Sequence, residues 1–261
     1  MAGLCDVAVC EDGCLLISIQ NQLVKITLDG LVLASVGKRG ERGGTDDNLD
    51  KPNGIAIGRE GKIYVADQGN NRVQIFNADL TYKRTCSFPD RDKSTVIYPE
   101  KIAINSAGNA YVTDSKNTCV YVFEESGQFL FSFGRKGNSR DRGSLSSPTA
   151  IAIDTEDYVY ISESNVGVSI FDCNGCFVKA FGIRGSSPGN IKAMHIDTRG
   201  NLYVCESRNN HVCVFSGINY FEIAKFIIVS KITIIISIKF LLLFAILFPK
   251  IQCHAELSVH T

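Results

Sequence analysis

Histidine is scarce in this chain, with four among 261 residues: His195, His211, His254 and His260. A catalytic zinc site takes three protein ligands and keeps a fourth position open, so histidines spaced this widely point away from one. No Ser-His-Asp constellation and no glycine-rich phosphate cradle is present. The one CxxC, Cys173-Asn174-Gly175-Cys176, has no second pair to complete a zinc knuckle. No catalytic residue, metal ligand or cofactor is expected on these grounds. Charge of one sign is not in excess either: 27 Lys and Arg stand against 27 Asp and Glu. Neutrality excludes neither nucleic acid nor protein as partner, because a partner meets one face. No signal-peptide pattern follows Met1, and no Asn-x-Ser/Thr acceptor occurs. The ten cysteines form no repeated framework, so the thiols read as reduced and the protein as cytoplasmic.

What the chain does have is one strand pattern in five copies. Val7-Ala8-Val9, Ile55-Ala56-Ile57, Ile102-Ala103-Ile104, Ile151-Ala152-Ile153 and Met194-His195-Ile196 are each followed, nine residues after the first of the three, by a second apolar run. Those runs are Leu16-Ile17, Tyr64-Val65, Tyr111-Val112, Tyr160-Ile161 and Tyr203-Val204. The period of forty-odd residues is that of propeller blades. Within a repeat, alternating apolar residues and turn chemistry mark four strands, a to d. Asp29-Gly30 and Asn174-Gly175 between strands c and d predict two-residue hairpins with positive φ. A lone four-stranded sheet cannot bury both faces, so each blade needs neighbours and the ring must close. The expected fold is all-β: a β-propeller over residues 1–226, its fifth strand d at Phe221–Phe226, then a hydrophobic tail over 227–261.

Pro52-Asn53-Gly54-Ile55-Ala56-Ile57, Gly61 through Asp67 and Asn70-Asn71-Arg72-Val73-Gln74-Ile75-Phe76 resemble an NHL repeat nearly residue for residue. The connector from Phe133-Gly134-Arg135-Lys136-Gly137 to Ser147-Pro148 resembles that family's inter-blade segment. The likeness covers about residues 4–226 and is greatest to the C-terminal propeller of tripartite-motif NHL proteins, described as ubiquitin ligases and RNA-binding repressors. It implies a recognition platform for a protein partner or single-stranded RNA. Two departures stand out: such propellers usually have six blades, and the ligase activity lies in a RING and B-box region that this sequence does not contain. Propeller lyases and lactonases, which use the central channel, supply the alternative reading.

Propeller topology sorts the loops. Turns a–b and c–d share one rim, where acids such as Asp12, Glu60, Glu125, Asp154, Asp172 and Asp197 dominate. Turns b–c and connectors d–a share the other, which carries Arg39, Arg72, Lys116, Arg135, Lys136, Arg140, Arg142, Arg184 and Arg208. Basic side chains on one rim are the footprint of a binder of phosphate backbone or acidic peptide, and these nine are the candidate binding residues. Charged loops are also simply solvated loops. Base readout would need aromatics, which those loops have few of, so protein is favoured over RNA.

Asp67, Asp114, Glu163 and Glu206 end strand b in four copies. Acids there read as acceptors for backbone N–H groups of the following turn, with Arg72 able to pair with one of them. His195 takes the alanine position of strand a and would face the channel. From Phe226 to Phe248 the chain turns almost wholly apolar, broken by Lys231 and Lys239 and ended by Pro249. The length suits a membrane span, although Lys239 near its middle costs about 2.5–3.5 kcal/mol. Packing against the open ring and translated AT-rich intron are the other readings of this run.

Overall fold

A computed structural model describes residues 4–89, 96–134, 143–163, 167–182, 191–207, 211–216, 218–219, 222–223 and 226–229. Five antiparallel four-stranded sheets stand around one hub. Blade 1 is β1 (Leu4–Val9), β2 (Leu15–Ile19), β3 (Gln22–Ile26) and β4 (Val32–Gly37). Blade 2 is β5 (Pro52–Ile57), β6 (Ile63–Asp67), β7 (Arg72–Phe76) and β8 (Tyr82–Thr85). Blade 3 is β9 (Pro99–Ile104), β10 (Ala110–Asp114), β11 (Cys119–Phe123) and β12 (Phe129–Phe133). Blade 4 is β13 (Ile151–Ile153), β14 (Val159–Glu163), β15 (Gly167–Phe171) and β16 (Phe177–Phe181). Blade 5 has β17 (Ile191–Ile196), β18 (Leu202–Glu206) and β19 (His211–Phe215). A small hairpin, β20 (Ile218–Asn219) with β21 (Glu222–Ile223), intervenes before its outer strand β22 (Phe226–Val229).

The fifth outer strand therefore begins at Phe226, the last residue of the expected Phe221–Phe226, and runs on to Val229. In blades 2 to 4 the last residue of strand c faces the residue six further on: Phe76 opposite Tyr82, Phe123 opposite Phe129, Phe171 opposite Phe177. Phe215 instead faces Phe226. The short turn is built from Asp172-Cys173-Asn174-Gly175 in blade 4 and Glu124-Glu125-Ser126-Gly127 in blade 3. Blade 2 makes the same step with Asn77-Ala78-Asp79-Leu80, Leu80 taking the positive φ, whereas in blade 5 Ser216-Gly217-Ile218-Asn219 leads into the longer β20–β21 hairpin.

The short turns also differ from a two-residue hairpin. Gly30 and Gly175 take positive φ, but Asp29 and Asn174 do not. Gly175 N–H donates to Asp172 O, Asp172 N–H donates to Cys176 O, and a bulge follows at Phe171. This is a type I turn closed by a left-handed residue, which needs one positive φ instead of two. The a–b turns use the same hydrogen bonds, as in Asn105–Asn109 and Asp197–Asn201.

The core lies between blades. One apolar cluster joins blades 1 and 2, a second joins 2 and 3, a third 3 and 4, and a fourth 4 and 5. Because strands b and c of the middle blades meet a neighbour on each face, β11 and β15 are buried along their whole length. At the hub the strands a come close. A Cβ on Gly54 would stand 2.6 Å from Glu100 O and 2.7 Å from Lys101 Cα, so this glycine permits the contact of β5 with β9. Among the described residues no cluster joins blade 5 to blade 1; the fifth cluster, around Ala193 and Cys205, is drawn from blade 5 alone.

Candidate functional site

Since each blade runs a, b, c, d outward from the hub, its b–c turn and the connector to the next blade emerge on the same rim. Hydrogen bonds hold them together there. Arg72, first residue of β7, donates from Nε to Asp67 Oδ2 at 2.8 Å and from its terminal nitrogens to Gly44 O, Thr45 O and Asn48 O at 3.0, 2.8 and 2.9 Å. Three of those acceptors belong to the connector from blade 1. In blade 3, Asn117 Nδ2 in the b–c turn donates to Val96 O of the incoming connector at 3.0 Å.

The acids that end strand b organise this rim. Asp67 accepts from Asp50 N–H, Asn70 Nδ2 and Arg72 Nε. Asp114 accepts from the Lys116, Asn117 and Tyr98 backbone N–H groups, and Glu163 from Ser146 N–H and the Ser169 hydroxyl. Glu206 is fully buried at the same position. Each of the first three thus ties a b–c turn or connector to its blade. Burial pushes the Asp67 carboxyl up, opposed by the Asn70, Arg72 and Asp50 donors, which all bind the ionised form.

Glu163 differs from Asp67 in having no cationic partner among the described residues: Gly167 stands opposite it where Arg72 stands opposite Asp67. Burial pushes its carboxyl up, with Ser169 and Ser146 pulling back. A carboxyl raised above its unfolded value favours folding fully below the unfolded value, and that contribution is lost as pH rises through the folded one. Glu163→Gln keeps an acceptor for Ser146 N–H and removes the buried charge. The variant is expected to be more stable than the parent at pH 7 and to lose that advantage at pH 4, as thermal melts at the two pH values would show.

Of the nine predicted basic residues, three fall among the described ones, and their surroundings differ. Arg39 is exposed on the connector after β4, with Nε donating to Gln20 Oε1 of the blade 1 b–c turn at 3.1 Å. Lys116 is exposed in the blade 3 b–c turn. Arg72 is nearly enclosed, its side chain 15% exposed and its fork spent on Asp67 and the connector. Arg135, Lys136, Arg140, Arg142, Arg184 and Arg208 lie outside the described residues. Arg42, on the same connector as Arg39, is an exposed cation left out of the candidate set, 3.5 Å from Asp50.

On the opposite rim the acids are largely occupied in shaping turns. Asp154 Oδ1 accepts from Glu156 and Tyr158 N–H, Asp172 Oδ1 from Asn174 and Cys176 N–H, and Asp197 Oδ1 from Arg199 and Asn201 N–H. Lysines neutralise others: Lys25 meets Asp12 at 2.7 Å, and Lys62 meets both Glu60 and Glu125. The Lys25 contact holds the Asp12 carboxyl below its usual value.

Strands from all five blades line a central cavity of about 440 Å³, mostly Val, Ile and Ala. Its charged groups are Asp6 and Lys101, paired at 3.2 Å, with Lys101 Nζ also donating to Cys5 O and Asp6 accepting from Ile55 N–H. Sequence reasoning missed this link, although a signal existed. Asp6 and Lys101 occupy the same repeat position, just ahead of strand a's apolar triplet, where the other copies have Gly54, Ala150 and Ala193. His195 does line the cavity, and burial lowers its basicity. Among the described residues no three of His, Cys, Asp and Glu gather as a metal site.

The NHL repeat profile matches residues 49–76, which hold β5 to β7. Protein brain tumor of Drosophila melanogaster is 28% identical over 148 residues, 56% of this chain and 14% of that protein. The B-box type zinc finger protein ncl-1 of Caenorhabditis elegans is 29% identical over 147 residues, 55% of this chain and 16% of its own length. The match thus spans a small part of either relative. Among solved structures, virginiamycin B lyase from Staphylococcus aureus aligns with a TM-score of 0.63 at 19% identity, covering 87% of this chain and 69% of that one. A gluconolactonase from Xanthomonas campestris aligns at 0.57 and 17% identity, covering 81% and 71%. At such identities the likeness is one of fold. The chain carries an NHL β-propeller like the C-terminal domains of tripartite-motif NHL proteins. No helix among the described residues is long and apolar enough to cross a membrane, and most of the apolar run 226–248 lies outside them.

Proposed function

We propose that this NHL propeller is a non-catalytic recognition platform that holds an acidic segment of a protein partner on the rim of its b–c turns and d–a connectors. The observation that carries this is the contrast between rims. Arg39 and Lys116 project from one, while on the other the carboxylates are committed to turns and to Lys25 and Lys62. Protein is favoured over RNA because aromatic side chains are few on the described part of that rim, where Phe88 and Tyr98 of one connector are half-buried. The channel supports the enzymatic alternative less well, since its two charged groups neutralise each other. Within a longer protein, such a rim would present a substrate to a ligase or a target to a repressor, the role that the resemblance to tripartite-motif NHL proteins suggests. Localisation in the cytoplasm belongs to the same reading.

The test uses a labelled Glu-rich peptide and a labelled mixed-sequence single-stranded RNA, titrated against the full chain at low and high salt. The peptide is expected to bind more tightly and to weaken as salt rises. Arg39→Glu with Lys116→Glu, and separately Arg135→Glu with Lys136→Glu, should each weaken it by about tenfold. Unchanged dissociation constants in both pairs would reject the basic rim, and tighter RNA binding would reassign it to nucleic acid.

A further inference from the structure

We infer that the central cavity is a cup that binds an aliphatic chain ending in an ammonium group, the chain lying in the hub and the head at the rim of the a–b turns. Asp6 of blade 1 and Lys101 of blade 3 meet at 3.2 Å across the hub, and Asp6 also accepts from Ile55 N–H of blade 2, so three of the strands a are drawn together where they begin. That end of the cavity is barred. Toward the other rim the walls part. Ile55, Ile102, Ile151 and Met194, which open four of the apolar triplets, are buried, whereas Val9, Ile57, Ile104, Ile153 and Ile196, which close all five, line the cavity half-buried.

A volume of about 440 Å³ falls in the range that small ligands occupy, and three residues of extended strand make the walls about 10 Å deep. Because β-branched side chains are stiff at χ1, the cup is shaped before anything enters it and little ordering opposes binding. Its deep polar groups neutralise each other, and burial lowers the basicity of His195, so the wall is neutral at pH 7 and favours an aliphatic body. Charge at the mouth is negative. Asp154 and Asp197 directly follow Ile153 and Ile196, and exposed Glu11, Asp12, Glu60 and Glu156 stand in the surrounding turns against exposed Arg59 and Arg199. Capping a turn does not discharge an acid: burial raises the Asp197 carboxyl, but the Asn201 and Arg199 donors outweigh it and the group sits below its usual value. An ammonium head beside these carboxylates is attracted, and a carboxylate head is repelled.

Titration calorimetry of the full chain at pH 7 with butylamine, hexylamine and octylamine, against octanoate and 1-octanol, tests this. One octylamine per chain is expected, with affinity rising on the order of tenfold per two added methylenes and at least about tenfold above that of octanoate or 1-octanol. Ile57→Lys puts a cation in the mouth at a residue outside the apolar clusters between blades, and should weaken octylamine by at least about tenfold. Leu28→Lys, on the exposed c–d turn of blade 1, should leave it unchanged. Should Ile57→Lys fail to fold, the parent's chain-length series and its preference for the ammonium decide. Binding that does not saturate, octanoate or 1-octanol binding as tightly as octylamine, or an affinity that survives Ile57→Lys or falls equally with Leu28→Lys overturns the inference.

Discussion

Asp67→Ala is expected to destabilise the propeller by about 3–5 kcal/mol, read as a fall in the urea midpoint at neutral pH. Asp67 is fully buried and receives three donors: the Asp50 N–H at 2.7 Å, Asn70 Nδ2 at 2.8 Å and Arg72 Nε at 2.8 Å. Alanine would leave all three without their acceptor, one of them charged and largely withdrawn from water. Asn at this position offers little relief. Its amide keeps one acceptor oxygen but turns an NH2 toward groups that can only donate. The contrast with Glu163→Gln is the diagnostic: equivalent positions in two blades, yet the neutral amide is harmful where a guanidinium faces the acid and helpful where none does. Arg72→Lys should fall near the alanine result, because one ammonium cannot reach Asp67 and also Gly44, Thr45 and Asn48. A loss below about 1 kcal/mol for Asp67→Ala would mean that the connector does not depend on this clamp.

The fold could be read from the sequence because its evidence is repeated. The nine-residue offset between strands a and b, taken five times, fixes the blade, and every a–b pairing follows from it, the first residue of each triplet facing the residue ten further on. Strand d of the fifth blade escapes that reading because the β20–β21 hairpin replaces the six-residue step of blades 2 to 4, and the offset between strands a and b carries no information on the turn between c and d. The binding rim was less legible. Arg39 and Arg72 are alike as letters, but one is exposed beside Gln20 while the other is spent on a neighbouring connector, a difference set by tertiary geometry. The capping role of Asp114 was readable because its donors, Lys116 and Asn117, come directly after it in sequence. The pairing of Asp6 with Lys101 spans two blades, and only the alignment of repeats places it.

Phe171→Ala is expected to cost about 3–5 kcal/mol, and Val178→Ala, seven residues on, under about 1 kcal/mol. Phe171 is fully buried at the end of β15, its ring 5.0 Å from that of Phe133 and 5.7 Å from that of Phe177. Phe133 belongs to blade 3, so removing the Phe171 ring opens a void at the junction of two sheets, where neither can relax without moving the other. Val178 lies on the outer strand of the same blade and is 42% exposed, so it has little to lose. Both substitutions leave the backbone pairing of blade 4 untouched, and a large difference between them therefore measures burial between blades apart from sheet formation. Exchange should accelerate most in β12 and β14, on either side of the junction, and least in β2 and β3, because a ring of wedges transmits damage chiefly to the adjacent sheet. Equal losses for the two variants would place the stability in the hydrogen-bonded sheets and not in the apolar clusters between them.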